Sequence, residues 1–155
     1  MAVIKSEVQT PVALATTATS LSTLGINTYL VSTNIGHVTN DPLDVLIDVQ
    51  INTTNAITTG NKQLVIFAQA SLDGTNFTSG PTTGNTATDE ADLYFVGVLP
   101  VNQAGTHRKI FSLAAAYGGT LPHTSRLVFK NDIGVAITNT TAAIVQYSEV
   151  WGLAF

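Results

Sequence analysis

From residue 28 onward, apolar and polar side chains alternate with a period of two, the mark of strands with one buried face. Tyr29, Val31, Thr33 and Ile35 make the first such set. In the next, Leu43, Val45, Ile47, Val49 and Ile51 face one way, while Asp44, Leu46, Asp48 and Gln50 face the other. Residues 64–68 (Leu-Val-Ile-Phe-Ala) are apolar on both faces, as a central strand of a sandwich is. Further strands are expected over 93–101, 107–113, 126–130, 135–138 and 142–151, with one helical turn at 114–116. Turn chemistry stands between them at Gly60-Asn61, Asp73-Gly74, Gly118-Gly119 with Pro122, 131–134 and 139–141. Residues 73–90, dense in Gly, Pro, Thr and Asn, form a long loop.

Eight or nine short strands without a sustained helical repeat predict an all-β chain. The expected architecture is an antiparallel β-sandwich of jelly-roll type rather than a parallel α/β sheet. Residues 1–27, rich in Ala, Thr and Ser, are expected as an extended N-terminal arm or lead-in strand, with the sandwich domain spanning 28–155.

Composition sharpens this picture. Only 10% of the 155 residues are charged, against about 25% in an ordinary domain, and 24 Thr and 11 Asn fill the gap. Thr suits a pleated strand and costs helix stability. A surface solvated by neutral hydroxyls and amides can be buried without stranding charges, so it suits packing against a large neighbour. Plain compositional bias in a β-protein produces the same signal. Net charge is −4, and six cations (Lys5, Lys62, Arg108, Lys109, Arg126 and Lys130) make no phosphate-tracking stripe, so no nucleic-acid partner is expected. There is no Cys, and no run of 18 apolar residues predicts a membrane span. The N-terminus does not read as a signal peptide, and without one the sequons at Asn52, Asn76 and Asn139 carry no weight.

Candidate chemistry is sparse. His37, His107 and His123 sit at no metal-ligand spacing. Asp44 and Asp48, four residues apart on one strand, are separated by about 13 Å, too far for a paired acid and base. Asp89, Glu90 and Asp92 lie in a loop that could offer Ca²⁺ oxygens but lacks the spacing of an EF-hand. No nucleophile elbow or phosphate-binding Gly loop occurs, so no enzyme activity, cofactor or metal is expected. Tyr29, Phe77, Tyr94, Tyr117, Tyr147 and Trp151 could form a sugar-stacking platform if they face outward. Trp151, with Tyr147 and Glu149 on one strand face, fills the core if that face points inward.

Four segments carry a resemblance: SLDGTNF (71–77), KIFSLAAAYGGTLP (109–122), RLVFKNDIG (126–134) and YSEVWG (147–152). In this order and spacing they resemble small virion proteins of tailed bacteriophages, of the jelly-roll type that decorates or cements the capsid shell. The resemblance covers roughly the C-terminal half. It implies a non-enzymatic protein made in the host cytoplasm and carried on the capsid exterior, partnered by the major capsid protein and by itself as a homotrimer. Many weak contacts summed over subunits would hold such a protein to an assembled shell. The expected contact elements are the arm, through Val3, Ile4 and Val8, the 73–90 loop with Phe77, and Trp151. The alternative is a phage tail or fibre component with a carbohydrate- or receptor-binding β-sandwich. A small hydrolase has no supporting motif.

Overall fold

A computed structural model describes residues 4–14, 20–39, 41–54, 56–86, 89–138 and 143–154. Ten strands are β1 (Ile4–Val8), β2 (Val12–Ala13), β3 (Tyr29–Val31), β4 (Ile35–Gly36), β5 (Asp44–Thr53), β6 (Gln63–Ser71), β7 (Tyr94–Pro100), β8 (Gly105–Ser112), β9 (Thr124–Asp132) and β10 (Ile144–Ala154). They form two antiparallel sheets, the β-sandwich that the periodicity predicts. The first runs β1-β10-β5-β8, with β2 also on β10. The second runs β3-β9-β6-β7, with β4 also on β9. A single helical turn, α1 (Leu113–Ala116), follows β8 and is capped by the Ser112 hydroxyl, which accepts from the Ala115 amide.

The alternation in β5 lands as read. Val45, Ile47, Val49 and Ile51 are fully buried between the sheets, facing Leu64, Ile66, Leu127 and Phe129 from the second. Leu43, expected with the inward set, lies before the strand and is exposed. In β6 both faces are apolar for different reasons. Leu64, Ile66 and Ala68 join the main core, whereas Val65 and Phe67 point the other way into a second cluster with Tyr29 and Val128. At Gly97 in β7, a Cβ would meet the Phe111 ring at 2.7 Å, so the close approach of β7 and β8 requires a residue without one.

Two further expectations change. The strand read over 28–35 is two short ladders broken at Ser32, whose hydroxyl takes the Leu127 amide in place of a backbone carbonyl. Residues 135–138 form no strand. Gly134, at φ 98°, lies against Thr59 and Gly60, and Ile137 turns inward, fully buried, with its amide on the Leu24 carbonyl. Where described, the segment read as an arm or lead-in strand contributes short strands. β1 and β2 lie along β10, and Leu14, Leu21 and Leu24 are buried in the main core. The turn read at 139–141 lies outside the described residues.

Candidate functional site

The residues expected to make contact fall on different surfaces. Val3 lies outside the described residues. Ile4 opens β1, paired with Ala154. Val8, 57% exposed, pairs with Val150 on the outward face of the first sheet. Trp151 pairs with Glu7 on the opposite face of that sheet, half buried, and its indole donates to Glu149 at 2.8 Å. With Gln9, Val12 and Tyr147 it lines a small cleft of about 330 Å³ at the margin of the core. Phe77 sits in the long loop beneath the Arg126 guanidinium, 4.2 Å from the ring centre.

The outward face of the first sheet is broad and electrically quiet. Its rows run Val8–Val150–Asp44, Ser148–Leu46–Ser112, Gln146–Asp48–Ile110, Ile144–Gln50–Arg108 and Asn52–Thr106. Its three charged groups are hydrogen-bonded within the chain, Asp48 and Arg108 to each other and Asp44 to neutral donors. Asp44 accepts from the Ser112 hydroxyl at 2.7 Å and the Ala114 amide at 2.9 Å, tying α1 to β5. Asp48 accepts two bonds from Arg108, at 2.9 and 2.5 Å, and one from Gln146 at 2.8 Å. The Arg108 guanidinium, then Gln146, hold the Asp48 carboxyl below its ordinary range against the burial that would raise it. What remains is hydroxyls, amides, and the exposed apolar side chains of Val8 and Ile110, the latter 58% exposed.

The chain matches no protein-family model and no curated protein.

The outward face of the second sheet is covered by the chain itself. The loop between β6 and β7 lies over Tyr29, Val65, Phe67 and Val128, adding Leu93 to that cluster. Tyr29 exchanges backbone bonds with Gly84 and Asn85, and Val31 donates to the Thr83 hydroxyl. Glu90 pins the far end: it accepts from the Tyr29 hydroxyl and, at 2.7 Å, from Lys130. Much of the loop expected as a contact element is therefore occupied with its own sheet, and Glu90 serves an ion pair.

Three clefts adjoin at one end of the sandwich. The largest, about 650 Å³, is lined by Leu72, Phe77, Tyr94, Tyr117, Leu121 and Pro122, with Asp73, Asn76 and Thr120 among its polar residues. Tyr94 and Tyr117 meet edge to face at 4.6 Å. Three of the six aromatics named from sequence are thus brought together. Tyr29 is fully buried elsewhere, and Tyr147 and Trp151 belong to the β10 cleft. Sequence reasoning missed Leu72, Leu121 and Pro122, although all three lie in or beside the SLDGTNF and KIFSLAAAYGGTLP segments.

One arrangement has the outline of catalytic machinery. His37 Nε2 is 2.9 Å from Ser125 Oγ, which the Tyr117 hydroxyl also contacts at 3.0 Å. A nucleophile must be reachable and its base must be oriented by a third group. Ser125 has no exposed surface, and His37 Nδ1 is buried without a partner. Burial lowers the His37 pKa to about 4, with Glu149 opposing and His123 adding to the shift. The trio is a core polar cluster that closes one end of the sheets. His123 lies opposite His37 across the β4–β9 pairing, yet among the described residues no three His, Asp or Glu side chains converge on a metal position. No helix among the described residues is long and apolar enough to cross a membrane.

Proposed function

We propose that the chain is a structural virion protein that binds the outside of a tailed-phage head, docks against the major capsid protein as a homotrimer, and stabilises the shell without catalysis. One observation carries this reading: the outward face of the first sheet, where Asp48 and Arg108 pair with each other, Asp44 is hydrogen-bonded within the chain, and Val8 and Ile110 stand exposed. Burying such a face leaves only the hydrogen-bonded Asp44 without an opposite charge, and three copies sum weak contacts into firm attachment. Binding the assembled shell but not its dissociated parts shifts the equilibrium toward assembly.

The strand order supports the jelly-roll form of the resemblance. With the eight strands of three or more residues numbered in chain order, the sheets run 1-8-3-6 and 2-7-4-5, an order that favours the jelly-roll reading. The four resembling segments also serve definite tasks: an Asp73-centred turn, the β8–α1 corner, β9, and β10.

The test is rebinding of purified chain to heads stripped of accessory proteins. The wild-type chain is expected to bind at copy numbers near those of the capsid protein, with only weak dependence on salt because Asp48 and Arg108 cancel and Asp44 alone keeps a net charge on the face. A Val8→Lys/Ile110→Lys double variant should keep its melting temperature and lose attachment. Equal occupancy by that variant, or no binding by the wild type, overturns the proposal.

A further inference from the structure

We propose that the trough at the 71–80/117–123 end of the sandwich binds a neutral glycan chain. This stands apart from shell docking, since none of the trough residues belongs to the rows of the first sheet's outward face.

The shape points to a chain-like ligand. The central cleft of about 650 Å³ shares Phe77, Thr78 and Tyr94 with a neighbour of about 550 Å³ on one side. It shares Thr120, Leu121 and Pro122 with another of about 550 Å³ on the other. Each volume is that of a small-molecule site, so three adjoining clefts suit several linked rings.

The chemistry points to a ligand that is neutral, with apolar faces and hydroxyl rims. The one ionic side chain that lines the central cleft, Asp73, already has its oxygens hydrogen-bonded within the chain. Asp73 accepts from the Thr75 and Asn76 amides at 2.8 and 2.7 Å, the Ser71 hydroxyl at 2.9 Å, and the Asn76 side chain at 2.7 Å. Arg126, which covers one face of Phe77, donates to Gln69 at 2.7 Å. Asp73 therefore keeps its negative charge with its oxygens taken up by neutral donors, and Arg126 lies against Phe77 outside the lining of the cleft. Asp92 and Asp41 flank the two ends of the trough, which disfavours an anion. The other polar groups at the centre are the hydroxyls of Thr78, Thr120 and Tyr94 and the amide of Asn76.

The rings are set in place before any ligand arrives. Tyr94 is 39% exposed, and its edge-to-face contact with Tyr117 fixes its orientation. Tyr117 is anchored in turn by its hydroxyl on the Gln69 carbonyl and Ser125. A rigid, half-exposed tyrosine supplies contact area at small entropic cost, and a sugar ring presents it with an apolar C–H face.

The experiment titrates maltohexaose, cellohexaose and N-acetylchitohexaose, with their disaccharides, into labelled full-length chain followed by backbone NMR. An uncharged apolar hexapeptide serves as comparator. At least one hexasaccharide should shift the amides of residues 72–78, 94 and 117–122, and bind about tenfold tighter than its disaccharide. Tyr94→Ala should weaken binding about tenfold with an unchanged melting temperature. Thr120→Val, also exposed, gives a second readout should Tyr94→Ala disturb the fold. No shift with any sugar, undiminished binding by both variants, or binding of the peptide alone overturns the proposal.

Discussion

The two sheets of this sandwich have outward faces of opposite character. On the second sheet, Val65, Phe67 and Val128 point away from the main core and are nevertheless buried, because the long β6–β7 loop folds back over them. On the first, Val8 and Ile110 are exposed and Leu46 and Val150 half-buried among hydroxyls and amides. The loop has spent its contacts on one face and left the other open. Apolar alternation alone does not distinguish the two, since each sheet has outward apolar residues. The difference lies in which face the chain roofs, and that makes the first sheet the surface available to a neighbour.

The largest expected effect tests whether the roofed face behaves as a core. Phe67→Ala should cost about 3 kcal/mol, as truncation of a buried aromatic does. Ile110→Ala on the open face should change stability by less than about 0.5 kcal/mol. Urea unfolding of both variants reads the contrast as a shift in midpoint at constant slope. Similar small shifts for both would mean that the loop does not seal the second cluster.

Next in size is the seam where the sheets meet, at His37. Its imidazole is almost wholly buried and neutral, and burial holds the folded pKa near 4 against an ordinary 6.5. The unfolded chain therefore binds the extra proton between those values. Stability is full above pH 6.5 and falls as the pH drops toward 4, by roughly 3 kcal/mol in all. Asp73, whose turn amides hold its carboxyl far below the ordinary range, adds a loss only at lower pH, below about 4. His37→Gln, which retains a hydrogen-bonding group toward Ser125, should flatten the curve between pH 6.5 and 4. An equally steep curve in that variant would assign the pH dependence elsewhere.

What could be read from the sequence divides along the same line. β5 was legible because Val45, Ile47, Val49 and Ile51 alternate strictly with polar residues and the period alone fixes their face. β6 was legible as central, yet nothing local says that Phe67 would meet a loop rather than a third layer. The 135–138 strand was misread because Val135 and Ile137 alternate correctly, while Gly134 packing on Thr59 and Gly60 decides the path. The quiet face was half legible. Few charges showed in the composition, but that Asp48 is cancelled by Arg108, sixty residues away, depends on strand register. The trough was legible only as scattered aromatics, because Phe77, Tyr94 and Tyr117 are gathered from a loop, an edge strand and the end of a helical turn.

The smallest effect concerns the pin that holds the roof. Glu90 bonds both Tyr29 and Lys130, and Lys130 also lies 5.7 Å from the Tyr29 ring centre. Burial would raise the Glu90 pKa, but the Lys130 and Tyr29 hydrogen bonds outweigh it and hold the carboxyl below its ordinary range. The network therefore stabilises above that range and weakens as the carboxyl is protonated. Glu90→Gln removes the charge while keeping the shape. Because the pair is partly exposed, the cost should be only about 1 kcal/mol. Its signature should be local: faster amide exchange over residues 82–86 and 89–93, with β5 and β10 unchanged, since the open sheet shares none of these bonds. If exchange instead rose across both sheets, the roof would be part of the global core, and the distinction between a covered face and an open one would be thermodynamically empty.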